Sequence, residues 1–102
     1  MLYDSIGTTD SEWAGKPYAE IREVADRDGS VLVVPVGSIE QHGHHLPVAT
    51  DTILVDAVVH GGTEQTGADV PVLVTPTVWT GFSPHHLSFG GTLSLELDHL
   101  RA

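Results

Sequence analysis

Seven residues, Ser30 to Val36 (SVLVVPV), are almost wholly apolar and rich in β-branched side chains. A run this short reads as a strand. Its lack of polar alternation predicts a strand buried on both faces, as in a parallel sheet with helices on either side. The chain then changes character at once. Gly37 to Thr50 (GSIEQHGHHLPVAT) is a polar loop with three histidines. Open α/β sheets bind ligands outside the carboxyl ends of their strands, so this junction is where chemistry is expected.

The flanking segments support the same architecture. Pro17 suits the first turn of a helix whose inner face is Tyr18, Ile21, Val24 and Ala25, and Asp28-Gly29 stops it. After the polar loop, Thr50 is placed to cap a helix running from Asp51, with Ile53, Leu54, Ala57 and Val58 as its inner face and Gly61-Gly62 weakening its end. Val72 to Thr75 reads as a second strand, and Trp79 to Gly91 (WTGFSPHHLSFGG) as a glycine-rich loop with two histidines. Ser94 is a candidate cap for a last helix near Leu95, whereas residues 1–15 read as an irregular entry segment. The order α-β-loop-α-β-loop-α predicts a layered α/β fold.

Composition narrows the functional classes. Fourteen acidic residues face four basic ones, a formal charge of −10, which argues against nucleic acid and anionic membranes as partners. One lysine, Lys16, in such an acidic chain favours adaptation to a salt-rich cytoplasm over a merely soluble surface. No run of eighteen apolar residues is present, and the first ten residues lack a basic start followed by an apolar stretch, so neither a membrane span nor a secretory signal is expected. With no cysteine, any metal must be held by His, Asp and Glu.

Glu40 and His42 follow the buried strand directly. In extended backbone, residues two apart point to the same side with Cα atoms about 6.6 Å apart. Two such side chains can converge on one metal or serve a closely spaced pair. Asp51 returns at the expected helix start, where its carboxylate can bridge two cations. Mixed imidazole and carboxylate donors suit zinc, manganese or similar ions. Each residue also has a plain reading: Glu-X-His is common in solvated loops, and Asp51 is favourable charge at a helix N-terminus. Their combination directly after a buried strand favours the metal.

The stretch from Pro35 through Gly37-Ser38-Ile39-Glu40-Gln41-His42-Gly43-His44-His45 to Asp51-Thr52 closely resembles the creatininase (creatinine amidohydrolase) family, whose hallmark is Gly-[Ala/Ser]-x-Glu-Gln-His-Gly-x-His followed by an aspartate. The block Gly81-Phe82-Ser83-Pro84-His85-His86-Leu87-Ser88-Phe89-Gly90-Gly91-Thr92 is similar to the family's Gly-x-Ser-x-x-His-x-x-Phe-x-Gly-Thr segment, in the same order and spacing. The resemblance implies a three-layer α/β/α fold with a mostly parallel sheet. It also implies two divalent ions (Zn2+ and/or Mn2+, with Fe2+ or Mg2+ as alternatives) and hydrolysis of a C–N bond in a small cyclic or linear amide by a metal-bound water. Glu40 would bind one metal, His42 the other, and Asp51 both. His44 and His45 fall outside those ligand positions and would orient ligands or shape the loop. Ser83 and His86 would contact substrate or support the site, with His85 of local importance; His60 and His99 read as ordinary surface residues.

The resemblance also sets expectations about what is missing. Family members are more than twice this long and take a further histidine and glutamate ligand from a later segment. Residues 1–102 therefore read as the N-terminal part of a creatininase-like domain, apparently truncated. That part alone is expected to be inactive, and the full-length protein to be a cytoplasmic homo-oligomer. The competing expectation is a catalytically inactive metal-binding remnant or structural subunit. A histidine-rich metal-storage module fits less well, because the seven histidines are spread through an apolar-patterned sequence.

Overall fold

The computed structural model describes residues 10–67 and 69–102. The first nine residues of the expected entry segment lie outside the described residues. The elements, in chain order, are helix α1 (Tyr18–Ala25), strand β1 (Val31–Val33), helix α2 (Thr50–Thr66), strand β2 (Val72–Val74), a short 3-10 helix (Pro84–Phe89) and helix α3 (Leu97–Arg101). The chain divides into two compact units, one of residues up to Pro35 with Ala57–Pro76, the other of Val36–Asp56 with Thr77–Ala102.

In the first unit, β1 and β2 pair in parallel with Val31 opposite Val72, Leu32 opposite Leu73 and Val33 opposite Val74. Parallel neighbours need a long crossover, and helix α2 lies within it. The second edge of β2 is also occupied: Trp13 N–H donates to the Val74 carbonyl at 2.9 Å and Val74 N–H to Ser11 at 2.7 Å. Paired on both edges, β2 supplies the buried apolar residues Leu73 and Val74, at 3% and 2% exposure. Each such burial is worth about 1.5–3 kcal/mol.

This corrects the strand expectation. Val31, Leu32, Val34 and Val36 are all exposed, so the most apolar run in the chain is not the buried strand. Among the described residues β1 pairs on one edge only, and its faces are open. Helix α1 forms where expected, with Pro17 as N-cap, and turns Ile21 and Val24 inward; Tyr18 and Ala25 stay exposed.

Helix α2 is rotated relative to its expected orientation. Ile53, Leu54, Ala57 and Val58 are exposed, and the more protected stripe is Thr52, Val55, Asp56, Val59, His60 and Thr63. The helix is apolar on more than one side, so periodicity alone did not determine the inward face. At its start the tertiary constraint is explicit. Thr52 is fully buried and packs against Gly37, where a Cβ would meet Thr52 Oγ1 at 2.7 Å and Thr52 Cα at 2.8 Å. Thr50 does not cap the helix; it lies in the first turn and its hydroxyl donates to the Pro47 carbonyl. The helix runs through Gly61-Gly62 to Thr66 before Gly67, at φ 75°, follows. At the far end, Glu96 rather than Ser94 is the N-cap of α3.

Candidate metal centre

The second unit contains the polar segment that follows β1. Residues 36–42 are held in place by their neighbours: Gly37 N–H donates to Val78 at 2.7 Å, Leu93 N–H to Ile39 at 2.9 Å, and Glu40 N–H to Val48 at 3.0 Å. Those bonds keep the backbone open enough for Glu40 and His42 to converge. Asp51, in the first turn of α2, joins them, where the helix dipole favours its negative charge.

Donor atoms of Glu40, His42 and Asp51 all lie within 4.8 Å of one another. His42 Nε2 is 3.4 Å from Asp51 Oδ1. On its other side, His42 Nδ1 stands 3.4 Å from the Glu40 carbonyl, an acceptor that favours a proton on Nδ1 and a lone pair on Nε2. Ser38 Oγ donates to Asp51 Oδ2 at 2.8 Å, and Thr52 Oγ1 donates to the Ser38 carbonyl at 3.0 Å. The buried threonine thus holds the serine that orients the aspartate. One imidazole and two carboxylates at this spacing fit a divalent ion of the zinc or manganese kind.

A second grouping shares Glu40. Donor atoms of Glu40, His85 and His86 also lie within 4.8 Å of one another. His86 Nε2 is 3.8 Å from Glu40 Oε2, and the rings of His85 and His86 tilt together at a centroid distance of 4.1 Å. His85, read from sequence as local, therefore stands beside the candidate centre. Ser83 is buried and works through the backbone: its N–H donates to Ser94 Oγ at 2.9 Å, and its carbonyl accepts from His86 N–H at 3.2 Å. Ser94 thereby supports the histidine turn instead of capping α3. His44 and His45 are exposed and belong to neither grouping.

Sequence reasoning passed over Ser38, Gln41, Thr52 and Thr92. All four lie inside the two blocks that carried the family resemblance, which was the available signal. His60 was also misjudged. In the first unit its Nε2 is 3.1 Å from Oε1 of Glu12, a buried carboxylate, so it belongs to an internal polar pair rather than the surface.

An α/β chain that gathers one imidazole and two carboxylates after a strand offers the donor types that divalent-metal sites use. The match is specific: the creatininase (creatinine amidohydrolase) family model covers residues 16–102, and the chain belongs to that family. It is 48% identical over 67 residues to a mycofactocin precursor peptide peptidase of Mycolicibacterium smegmatis, an alignment covering 64% of this chain and 27% of that protein. It is 41% identical over 61 residues to the creatinine amidohydrolase of Pseudomonas putida, covering 60% of this chain and 22% of the other. A solved manganese creatininase superposes with a TM-score of 0.73 at 30% identity, across 86% of this chain and 35% of that one. A creatininase variant in a zinc–zinc form superposes equally well, with a TM-score of 0.73. The expected creatininase-like α/β fold is thus present. The chain spans between a fifth and a third of the length of the curated relatives it matches.

Proposed function

We propose that this chain supplies the Glu40, His42 and Asp51 ligand set of a metal-dependent amidohydrolase that cleaves the C–N bond of a small cyclic or linear amide. The observation that carries this reading is the convergence of the three donors within 4.8 Å, at the end of an extended segment and the start of α2. Family membership supports hydrolysis in general. Two relatives are named for acting on a precursor peptide and on creatinine, and an amide C–N bond is the chemistry common to both names.

Divalent ions held by this set would lower the pKa of water and polarise a carbonyl oxygen. The chain's own residues prepare that environment. Glu40 and Asp51 bring negative charge for the ions, Ser38 keeps Asp51 oriented, and the Glu40 carbonyl favours the His42 tautomer that presents Nε2. Zinc and manganese are the proposed occupants, consistent with the zinc–zinc and manganese forms of related creatininases. His44 and His45 are proposed to act on the loop rather than on the ions. The whole protein is proposed to be a homo-oligomer. Among the described residues no helix is long and apolar enough to cross a membrane.

Calorimetric titration of the 102-residue chain with Zn2+ and Mn2+ tests the assignment. Glu40→Ala, His42→Ala and Asp51→Ala should each weaken binding at least about tenfold, equivalent to about 1.4 kcal/mol. Undiminished affinity in any of the three removes that residue from the set. In a longer chain containing this segment, the same substitutions should abolish amide hydrolysis, while His44→Ala and His45→Ala should be milder. A second reading, metal binding without turnover by these 102 residues themselves, is favoured by the three-ligand grouping around a carboxylate shared with the histidine turn. Turnover of an amide by the isolated chain with either metal would discard it.

A further inference from the structure

Gln41 lies between two proposed ligands, and its amide is engaged at both ends. Gly43 N–H donates to Gln41 Oε1 at 3.0 Å. A backbone N–H can only donate, so the amide oxygen must occupy that end and the amide nitrogen the other. That nitrogen stands 2.8 Å from His86 Nδ1. An amide NH2 is a donor too, so Nδ1 has to accept through its lone pair. A neutral imidazole carries one proton, which is thereby assigned to Nε2. Nε2 is the nitrogen that faces Glu40 Oε2 at 3.8 Å.

A ring nitrogen that holds a proton has no lone pair for a metal. His86 therefore differs from His42, whose Nδ1 lies beside a carbonyl acceptor and whose Nε2 faces another proposed ligand, Asp51 Oδ1, at 3.4 Å. Distance alone would admit Glu40, His85 and His86 as a second ligand trio; the hydrogen bonds withhold His86 from it. The ring is also fixed through its backbone. Gln41 N–H donates to Thr92 Oγ1 at 3.1 Å, and Thr92 Oγ1 donates to the His86 carbonyl at 3.1 Å. Gln41 thus grips His86 through the side chain directly and through Thr92 at the main chain.

We infer that Gln41 is a positioning residue that locks His86 in the Nε2–H tautomer, making His86 a hydrogen-bond donor toward anionic oxygen at the candidate centre rather than a metal ligand. The consequence for the centre rests on the proposed metal reading, whereas the tautomer itself does not.

The test is long-range 1H–15N correlation of the full chain labelled with 15N-histidine, recorded with neutral imidazoles and no metal. His86 should show the Nε2–H pattern; an Nδ1–H or averaged pattern overturns the inference. In Gln41→Glu the carboxylate accepts from Nδ1, and the pattern should switch to Nδ1–H. In Gln41→Ala it should move toward the average. An unchanged pattern in Gln41→Ala removes the role of Gln41. On adding Zn2+, the wild-type His42 signals should shift as a ligand's do while His86 keeps its Nε2 proton; coordination by His86 overturns the inference. If Zn2+ moves neither ring but His86 retains Nε2–H, the metal reading fails and the tautomer lock is upheld.

Discussion

Gly37 shows how one residue can set the position of a functional group. Its missing side chain lets Thr52 approach to a distance no Cβ tolerates, and two of the three nearest atoms belong to the Thr52 backbone, which cannot rotate away. Thr52 in turn holds the Ser38 carbonyl, and Ser38 holds Asp51. Gly37→Ala should therefore cost about 1–3 kcal/mol by overpacking, read as a lower midpoint in urea unfolding, and should weaken metal binding as Asp51 shifts. An unchanged midpoint would mean that the close approach is relieved at little cost. Glycine before Ser-x-Glu was visible in the sequence, but its partner was not, because Thr52 is fifteen positions away along the chain.

At the scale of elements, α2 separates the two kinds of information. Its existence and start were legible to within a residue: the helix expected from Asp51 begins at Thr50, and apolar residues recur along it. Its orientation was not. Val55 and Val59 compete with Ile53, Leu54, Ala57 and Val58 for the inward position, and the packing selects the former. Adjacent substitutions test this directly. Val58 is 71% exposed, so Val58→Lys should change stability by no more than about 0.5 kcal/mol. Val59→Lys forces a charge into the half-buried stripe and should be clearly more destabilising in the same urea experiment. A larger cost at Val58 than at Val59 would support the orientation expected from periodicity. The strands carry a similar lesson. Both were found near their expected places, yet the buried apolar side chains are on β2, the strand with hydrogen-bonded neighbours on both edges.

For the molecule as a whole, charge and burial act in opposite directions. The apolar core among the described residues is Leu73 and Val74, while the chain carries a formal charge of −10. Self-repulsion of that size weighs heavily against a small core, and it is screened as the Debye length falls from about 10 Å at 0.1 M salt to about 3 Å at 1 M. The melting temperature should therefore rise with sodium chloride over that range. A flat or falling profile by circular dichroism would show that the acidic residues are spaced too widely to repel appreciably. The creatininase family itself was legible in the sequence, through two blocks of ordered residues, and the family match over residues 16–102 bears that out.

The sequence alone determined the local and chemical content of this protein: helix and strand positions, the polar segment after β1, and the donor types at Glu40, His42 and Asp51. Those follow from backbone preference, side-chain chemistry and spacing, which act over a few residues. The tertiary structure decided which faces are buried, that Ser83 and Thr92 hold the histidine turn, that His60 meets Glu12, and that the Gln41 amide is fixed between Gly43 and His86. Each depends on groups brought together across the chain, where hydrogen-bond direction and close packing select one arrangement that no local pattern encodes.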